Sequence, residues 1–297
     1  MVRRFETEVG GKPLIVEVGK LAQQAHAAVV CSYGDTVILA TVVMGAQPRD
    51  TGYFPLMVDY EERLYAAGKI KSSRFIKREG RATDEAVLTG RLVDRAIRPL
   101  FDAAIRNDIQ VIITVLSVDQ ENDPDVPALI GAATALSISN IPWDGPIGAV
   151  RIGRVDGEWV INPSYEARTK SEIDLYVAGT GDRVLMIEAG AKQASEDVMT
   201  DAVEFALKHL GKACAFIQDI QKEIGKPKLT FAQIAQTKKE DEEEEEIDPA
   251  IVAKTTQWIE EHIASFLTSE EKVTKQNRKL AVSRCKEALD EYLKEEQ

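Results

Sequence analysis

GKIKSSRFIKREGRATDEAVLTGRLVDRAIRPLFDAAIR, residues 68–106, decides the reading of this chain, because its charge and its periodicity both break with what surrounds it. From Lys69 to Arg106 it holds ten basic residues against five acidic ones, a local net of +5 inside a 297-residue chain of net charge −12. Such a reversal is what a local anion site needs in a protein that as a whole repels anions. From Thr83 the apolar spacing changes from two to 3.6: Thr83 fits an N-cap, Asp84 and Glu85 the first turn, and Pro99 closes the pattern. On that helix Leu92, Val93, Ala96 and Ile97 share one face, while Arg91, Arg95 and Arg98 fall within about 60° of one another on the opposite face. One reading of this stripe is a solvated face in which Asp94 pairs with Arg98 at i, i+4; the other makes it part of the anion site.

Upstream, the pattern is β. Phe5 to Val9 and Leu14 to Val18 flank Gly10-Gly11 as a hairpin, and a second pair, Ala27 to Tyr33 and Thr36 to Met44, is joined by Gly34-Asp35. The near-continuous aliphatic content of that second pair predicts central strands covered on both faces. Pro55 to Tyr60 adds a short strand. Downstream come a strand over Ile109 to Val118, a polar connection DQENDPD, and a small-residue helix from about Val126 to Ser139. Further strands follow at Ile147 to Val155, Glu158 to Ile161, Ile173 to Ala178 and Val184 to Ala189. Ser195 then caps a long amphipathic helix whose apolar positions include Met199, Ala202, Leu210, Ile217 and Ile220, ended by Gly225 and Pro227.

The order of these elements predicts an α+β fold, a mixed sheet packed with helices over residues 1–225. An acidic linker, 226–248, contains the like-charge block KKEDEEEEEIDP, and a small all-α module follows over 249–297, the all-α region as a whole running over about 226–297. From Lys238 to Gln297 there are 17 acids and 10 bases, net −7, which makes nucleic acid a poor partner for this tail. No apolar run approaches the ~20 residues that span a bilayer, and the N-terminus MVRRFETEV has no apolar signal region, so the expectation is a cytoplasmic chain without a membrane partner. Three cysteines and three histidines lie scattered without CxxC or HxxxH spacing, which supports neither a disulfide framework nor a zinc site.

Several segments together resemble the N-terminal portion of the polynucleotide phosphorylase family: GDTVILATVVMG (34–45), FPLMVDYEERLYAAGKI (54–70), RFIKREGR (74–81), RLVDRAIRPLF (91–101), QVIITVLSVD (110–119) and EIDLYVAGT (172–180). The resemblance implies a ribonuclease PH-like core, of the ribosomal protein S5 domain 2-like type, followed by the family's helical domain. It also implies a homotrimeric ring around a channel for single-stranded RNA, partners in an RNA-degrading complex, and 3′-to-5′ phosphorolysis with phosphate as co-substrate and Mg²⁺ as cofactor. The family places its principal acid and metal-binding residues in a second core domain. Positions comparable to that site are here Arg168, Asp174 and Tyr176, so one carboxylate survives, and the resemblance implies no catalytic residue and no metal ligand in this chain.

What the resemblance does imply is RNA handling. Phe75 stacks on a base while Lys77, Arg78 and Arg81 reach phosphates, a sequence-tolerant combination. The family's loop commonly has two aromatics and two arginines; here Ile76 replaces the second aromatic and Lys77 the first arginine, which leaves bidentate phosphate contact to Arg78. For Arg91, Arg95 and Arg98 the resemblance adds contact with phosphate or the RNA end. Two other readings stay open: a noncatalytic RNA-binding or ring-building subunit, and a protein-interaction adaptor built on the acidic linker and helical module.

Overall fold

The computed structural model describes residues 2–49, 51–70, 81–230, 233–234, 249–267 and 275–295. Two units separate near the acidic block, Met1–Lys238 and Lys239–Gln297.

The first unit opens with a hairpin, β1 (Arg3–Val9) and β2 (Lys12–Val18), in register from Arg3 opposite Val18 to Val9 opposite Lys12. Both turn residues have positive φ, +58° at Gly10 and +78° at Gly11, the conformation a two-residue turn matched to strand twist demands and glycine supplies without strain. β3 (Ala27–Tyr33), β4 (Thr36–Pro48), β5 (Leu56–Glu61) and β6 (Asn107–Ser117) complete a six-stranded sheet in the order β1-β2-β3-β4-β6-β5. Every neighbouring pair is antiparallel except β5 with β6, which is parallel. The crossover between these two strands carries α1 (Asp84–Ile97), so the basic segment is the connection of a βαβ unit.

α2 (Asp125–Ile138) follows β6, and all of its residues are buried. Its composition accounts for this: apolar or small on every side, it has no face fit for water, unlike the amphipathic α1. The small residues also set how closely it lies on the sheet. A Cβ added at Gly131 would stand 2.6 Å from Ile38 Cδ1 and 3.4 Å from Ala40 Cβ. α2 covers one face of β3 and β4, whose residues on that side (Val29, Cys31, Ile38, Ala40, Val42) are fully buried. The opposite face is only half-buried, and Val43 is 39% exposed. These strands are central but not covered on both sides, because aliphatic residues on a half-covered sheet read the same in sequence as residues on a fully covered one.

A second, four-stranded antiparallel sheet has the order β10-β9-β7-β8, from β7 (Gly148–Val155), β8 (Glu158–Ile161), β9 (Ile173–Gly179) and β10 (Val184–Ala191). Between β8 and β9 lies a short helix, α3 (Tyr165–Lys170), capped by the Ser164 hydroxyl, which accepts from the Ala167 N–H. α4 (Glu196–Ile224) packs along this sheet through Ala202, Ala206, Leu210 and Ala213, with Met199 at the margin, while Ile217 and Ile220 join the core of the first sheet and α2.

Residues 226–230, placed in the linker by sequence, belong to the first unit. The Lys226 N–H donates to Ile138 O and the Leu229 N–H to Asn140 O, while Lys228 Nζ donates to Leu136 O and Ser139 O. The lysine thereby satisfies carbonyls that the end of α2 leaves open. Among the described residues the second unit contains two helices, α5 (Pro249–Leu267) and α6 (Lys275–Glu295), and Trp258 of α5 stacks on Tyr292 of α6 at 5.9 Å. Among the described residues no helix is long and apolar enough to cross a membrane.

Candidate nucleic-acid interface

Of the residues singled out for RNA, Phe75, Lys77 and Arg78 lie outside the described residues; Arg81 is described and exposed. It stands just before α1, whose N-cap is Thr83: the hydroxyl accepts from the Ala86 N–H at 3.0 Å and donates to Glu62 at 2.8 Å. α1 thus begins at a fixed helix start.

The arginine stripe on α1 divides into three environments. Arg98 is engaged within the fold: Nε and Nη2 donate to Asp94 at 3.1 and 2.7 Å, Nη2 also donates to Leu56 O at 3.1 Å, and Cζ sits 5.7 Å from the Phe54 ring centroid. It ties the end of α1 to β5. Arg95 donates to Glu188 of β10 at 2.7 Å, with both side chains more than half exposed, a pair worth about 0–1 kcal/mol that a phosphate could displace. Arg91 is exposed and has no ion-pair partner among the described residues.

Facing this stripe is a network that joins Arg168, Asp174 and Tyr176, singled out above, to Arg151, Asp123 and Asp125, which sequence reading missed. Arg151 of β7, its side chain only 13% exposed, donates to Asp125 at the start of α2 and to Asp174 of β9 at 2.6 Å, with Asp123 3.9 Å away. Arg168 of α3 donates to Asp123 and, at 2.8 Å, to Asp174. Tyr176 lies beneath Arg151, Cζ 5.6 Å from its ring centroid, and its hydroxyl donates to Asp125 O. An arginine as enclosed as Arg151 in the strand GAVRIGRV requires carboxylate partners, and the Asp123-Pro124-Asp125 turn ahead of an apolar helix supplies two of them.

Three carboxylates here share two guanidiniums. Burial pushes Asp125 up to about 6 against the pull of Arg151. For Asp174 burial also acts upward, but Arg151 and then Arg168 outweigh it and hold the carboxyl below its usual range. This donor set does not fit Mg²⁺: the positive charge the carboxylates need is supplied by Arg151 and Arg168, and neither guanidinium can yield its place without leaving buried carboxylates unpaired. Between α1 and this network runs a cleft of about 860 Å³, floored by Asp125, Arg151 and Asp174 and walled by Arg91, Arg95 and Tyr165.

The turn that delivers Asp123 and Asp125 is itself held by charge. Burial alone would raise the Asp119 carboxyl, but the Asn122 N–H and amide, the Glu121 N–H and the Thr36 hydroxyl pull it down to about 2. A folded value below the unfolded ~3.9 means that the contribution is present above pH ~4 and disappears as pH falls through about 2. In urea titrations, Asp119→Asn should therefore be less stable than wild type at pH 5, with the difference shrinking steadily toward pH 2.5; a constant difference would contradict this assignment.

Known proteins resemble this chain in sequence and in fold. The model of the 3′ exoribonuclease family, domain 1, matches residues 10–142, and that of domain 2 matches residues 145–209. The chain is 52% identical over 227 residues to a polyribonucleotide nucleotidyltransferase of Exiguobacterium sibiricum, an alignment covering 76% of this chain and 31% of that protein. It is 43% identical over 293 residues to polyribonucleotide nucleotidyltransferase 1 of Alkaliphilus metalliredigens, covering 98% of this chain and 40% of that one. The chain thus spans about a third to two-fifths of these relatives' length. Among solved structures, rice (Oryza sativa) Rrp46 superimposes with a TM-score of 0.53 at 14% identity, over 75% of this chain and 93% of that one, a likeness of fold.

Proposed function

The chain belongs to the 3′ exoribonuclease family, and from that premise we propose that it is the RNA-guiding portion of a phosphorolytic 3′-to-5′ exoribonuclease. In the whole reaction phosphate attacks the 3′-terminal phosphodiester, the bond to the preceding nucleotide's 3′ oxygen breaks, and a nucleoside diphosphate leaves; the reverse reaction extends RNA. The part taken by this chain is to hold single-stranded RNA through Phe75, Lys77, Arg78 and Arg81 and to build, in the full-length protein, a homotrimeric cytoplasmic ring that uses Mg²⁺ bound elsewhere.

The observation that carries this division of labour is the engagement of Asp174. A carboxylate held between Arg151 and Arg168 is neither a metal ligand nor a general acid near neutral pH, since two cations keep it ionised and occupied. The same observation supports a second reading, a noncatalytic RNA-binding or ring-building subunit, and the molecular mass in solution of the chain alone tests its ring-building part. Incubation of the chain with poly(A), phosphate and Mg²⁺ tests the first reading: no ADP is expected, and phosphate-dependent ADP release would overturn the claim that bond cleavage depends on a part of the protein outside these residues.

A further inference from the structure

At the two ends of residues 71–80, where Lys69 and Arg81 both line the wall, lies a pocket of about 450 Å³. Its interior is aliphatic, with Leu64, Ala86, Val115 and Val118, and two aromatic side chains line it, Tyr60 of β5 and Tyr165 of α3. Its carboxylates are already engaged. Glu61 pairs with Arg63 and accepts from the Thr114 hydroxyl at 3.1 Å, and Glu62 accepts from Thr83. Of its three cations Arg63 is paired with Glu61, but among the described residues neither Lys69 nor Arg81 has an ion-pair partner.

The tyrosines sharpen the chemistry. Tyr60 is 6% exposed and Tyr165 39% exposed, and neither hydroxyl makes a hydrogen bond to another described residue. Neither hydroxyl is among the buried polar atoms left without a partner, so both are open to solvent and free to donate to a ligand in the pocket. Burial raises both phenols well above their ordinary value, with Asp123 and Asp125 adding to it, so both remain neutral O–H donors. An apolar slot, two neutral donors inside and two free cations at its edge match a flat heterocycle that carries a phosphate.

We propose that this pocket takes one nucleotide unit, the base lying against Leu64, Val115 and the two tyrosines and the phosphate resting on Lys69 and Arg81. The proposal rests on the RNA-guiding reading and extends it. The unit can come from two sources, a nucleotide of the guided strand or a free nucleotide, and the chemistry is the same for both.

The test titrates the full chain with AMP, with a 12-residue oligo(A) and with inorganic phosphate, in wild type and two variants. Tyr60→Phe removes one hydroxyl and keeps the ring in the core. Ala67→Trp fills the pocket from an exposed position, and urea midpoints show that both variants are folded. AMP should bind wild type more tightly than phosphate does, roughly 3- to 10-fold more weakly to Tyr60→Phe, and not measurably to Ala67→Trp. A parallel loss of oligo(A) affinity in Ala67→Trp assigns the site to the RNA strand; unchanged oligo(A) affinity with AMP binding lost assigns it to free nucleotides. AMP binding that is absent from wild type, or equal in all three proteins, overturns the proposal. Failure of the RNA-guiding reading shows separately, as wild type that does not bind oligo(A), and the AMP titration then decides the pocket by itself.

Discussion

Arg151→Met is expected to lower the unfolding free energy by about 3–5 kcal/mol, the range for removing one partner of a buried ion pair. For a domain of this size that is a fall in Tm of roughly 6–20 °C. The reason is what remains: Asp125, with a side chain 4% exposed, loses its main partner, and Asp174 and Asp123 are left to Arg168 alone. The pH dependence identifies the cause. Without Arg151 the Asp125 carboxyl, already raised to about 6, rises further. An acid whose folded value exceeds its unfolded one binds more protons in the native state, so the variant should gain stability as pH falls from 7 to 5. Arg95→Met, which breaks an exposed pair, should change stability by less than about 1 kcal/mol. Equal losses for Arg151→Met and Arg95→Met would mean that the network does not tie β7, β9, α3 and the start of α2 together.

The second large effect concerns RNA. On the RNA-guiding reading proposed above, replacing Phe75 and Arg78 together by alanine should remove one base-stacking platform and one bidentate phosphate contact, about 2–4 kcal/mol or roughly 30- to 1,000-fold in affinity for single-stranded RNA. Arg78→Lys should recover only part of this, because lysine restores the charge without the planar fork. Arg98→Ala is the informative contrast. Its guanidinium is tied to Asp94 and Leu56 O, so that variant should lose stability while RNA affinity stays close to wild type.

Much of this fold was legible locally. Glycine pairs marked the turns, Thr83 and Ser195 marked helix starts, and the i, i+4 spacing of Asp94 and Arg98 gave a contact that the structure contains. What escaped was long-range. Parallel pairing of β5 with β6 leaves no mark on either strand, and α3, only six residues long, is too short for a helical period to show. Arg151 meets Asp125 across 26 positions and Arg168 meets Asp123 across 45; sequence shows that a buried arginine needs partners but not which carboxylates a sheet register will deliver. Tyr60 and Tyr165 carried no signal either, since an aromatic in a strand or a short helix reads as core. The basic run proposed to contact RNA could be singled out for the opposite reason: a charge reversal in an acidic chain is a local property.

The central claim is that residues 74–81 contact the phosphates of single-stranded RNA, and the salt dependence of binding tests it most directly. With Lys77, Arg78 and Arg81 on three phosphates, a plot of log K against log salt for a 12-residue oligo(A) should have a slope of about −2, and Arg78→Ala should make it shallower by about 0.7. A slope near zero in wild type, or one that Arg78→Ala leaves unchanged, would contradict the account.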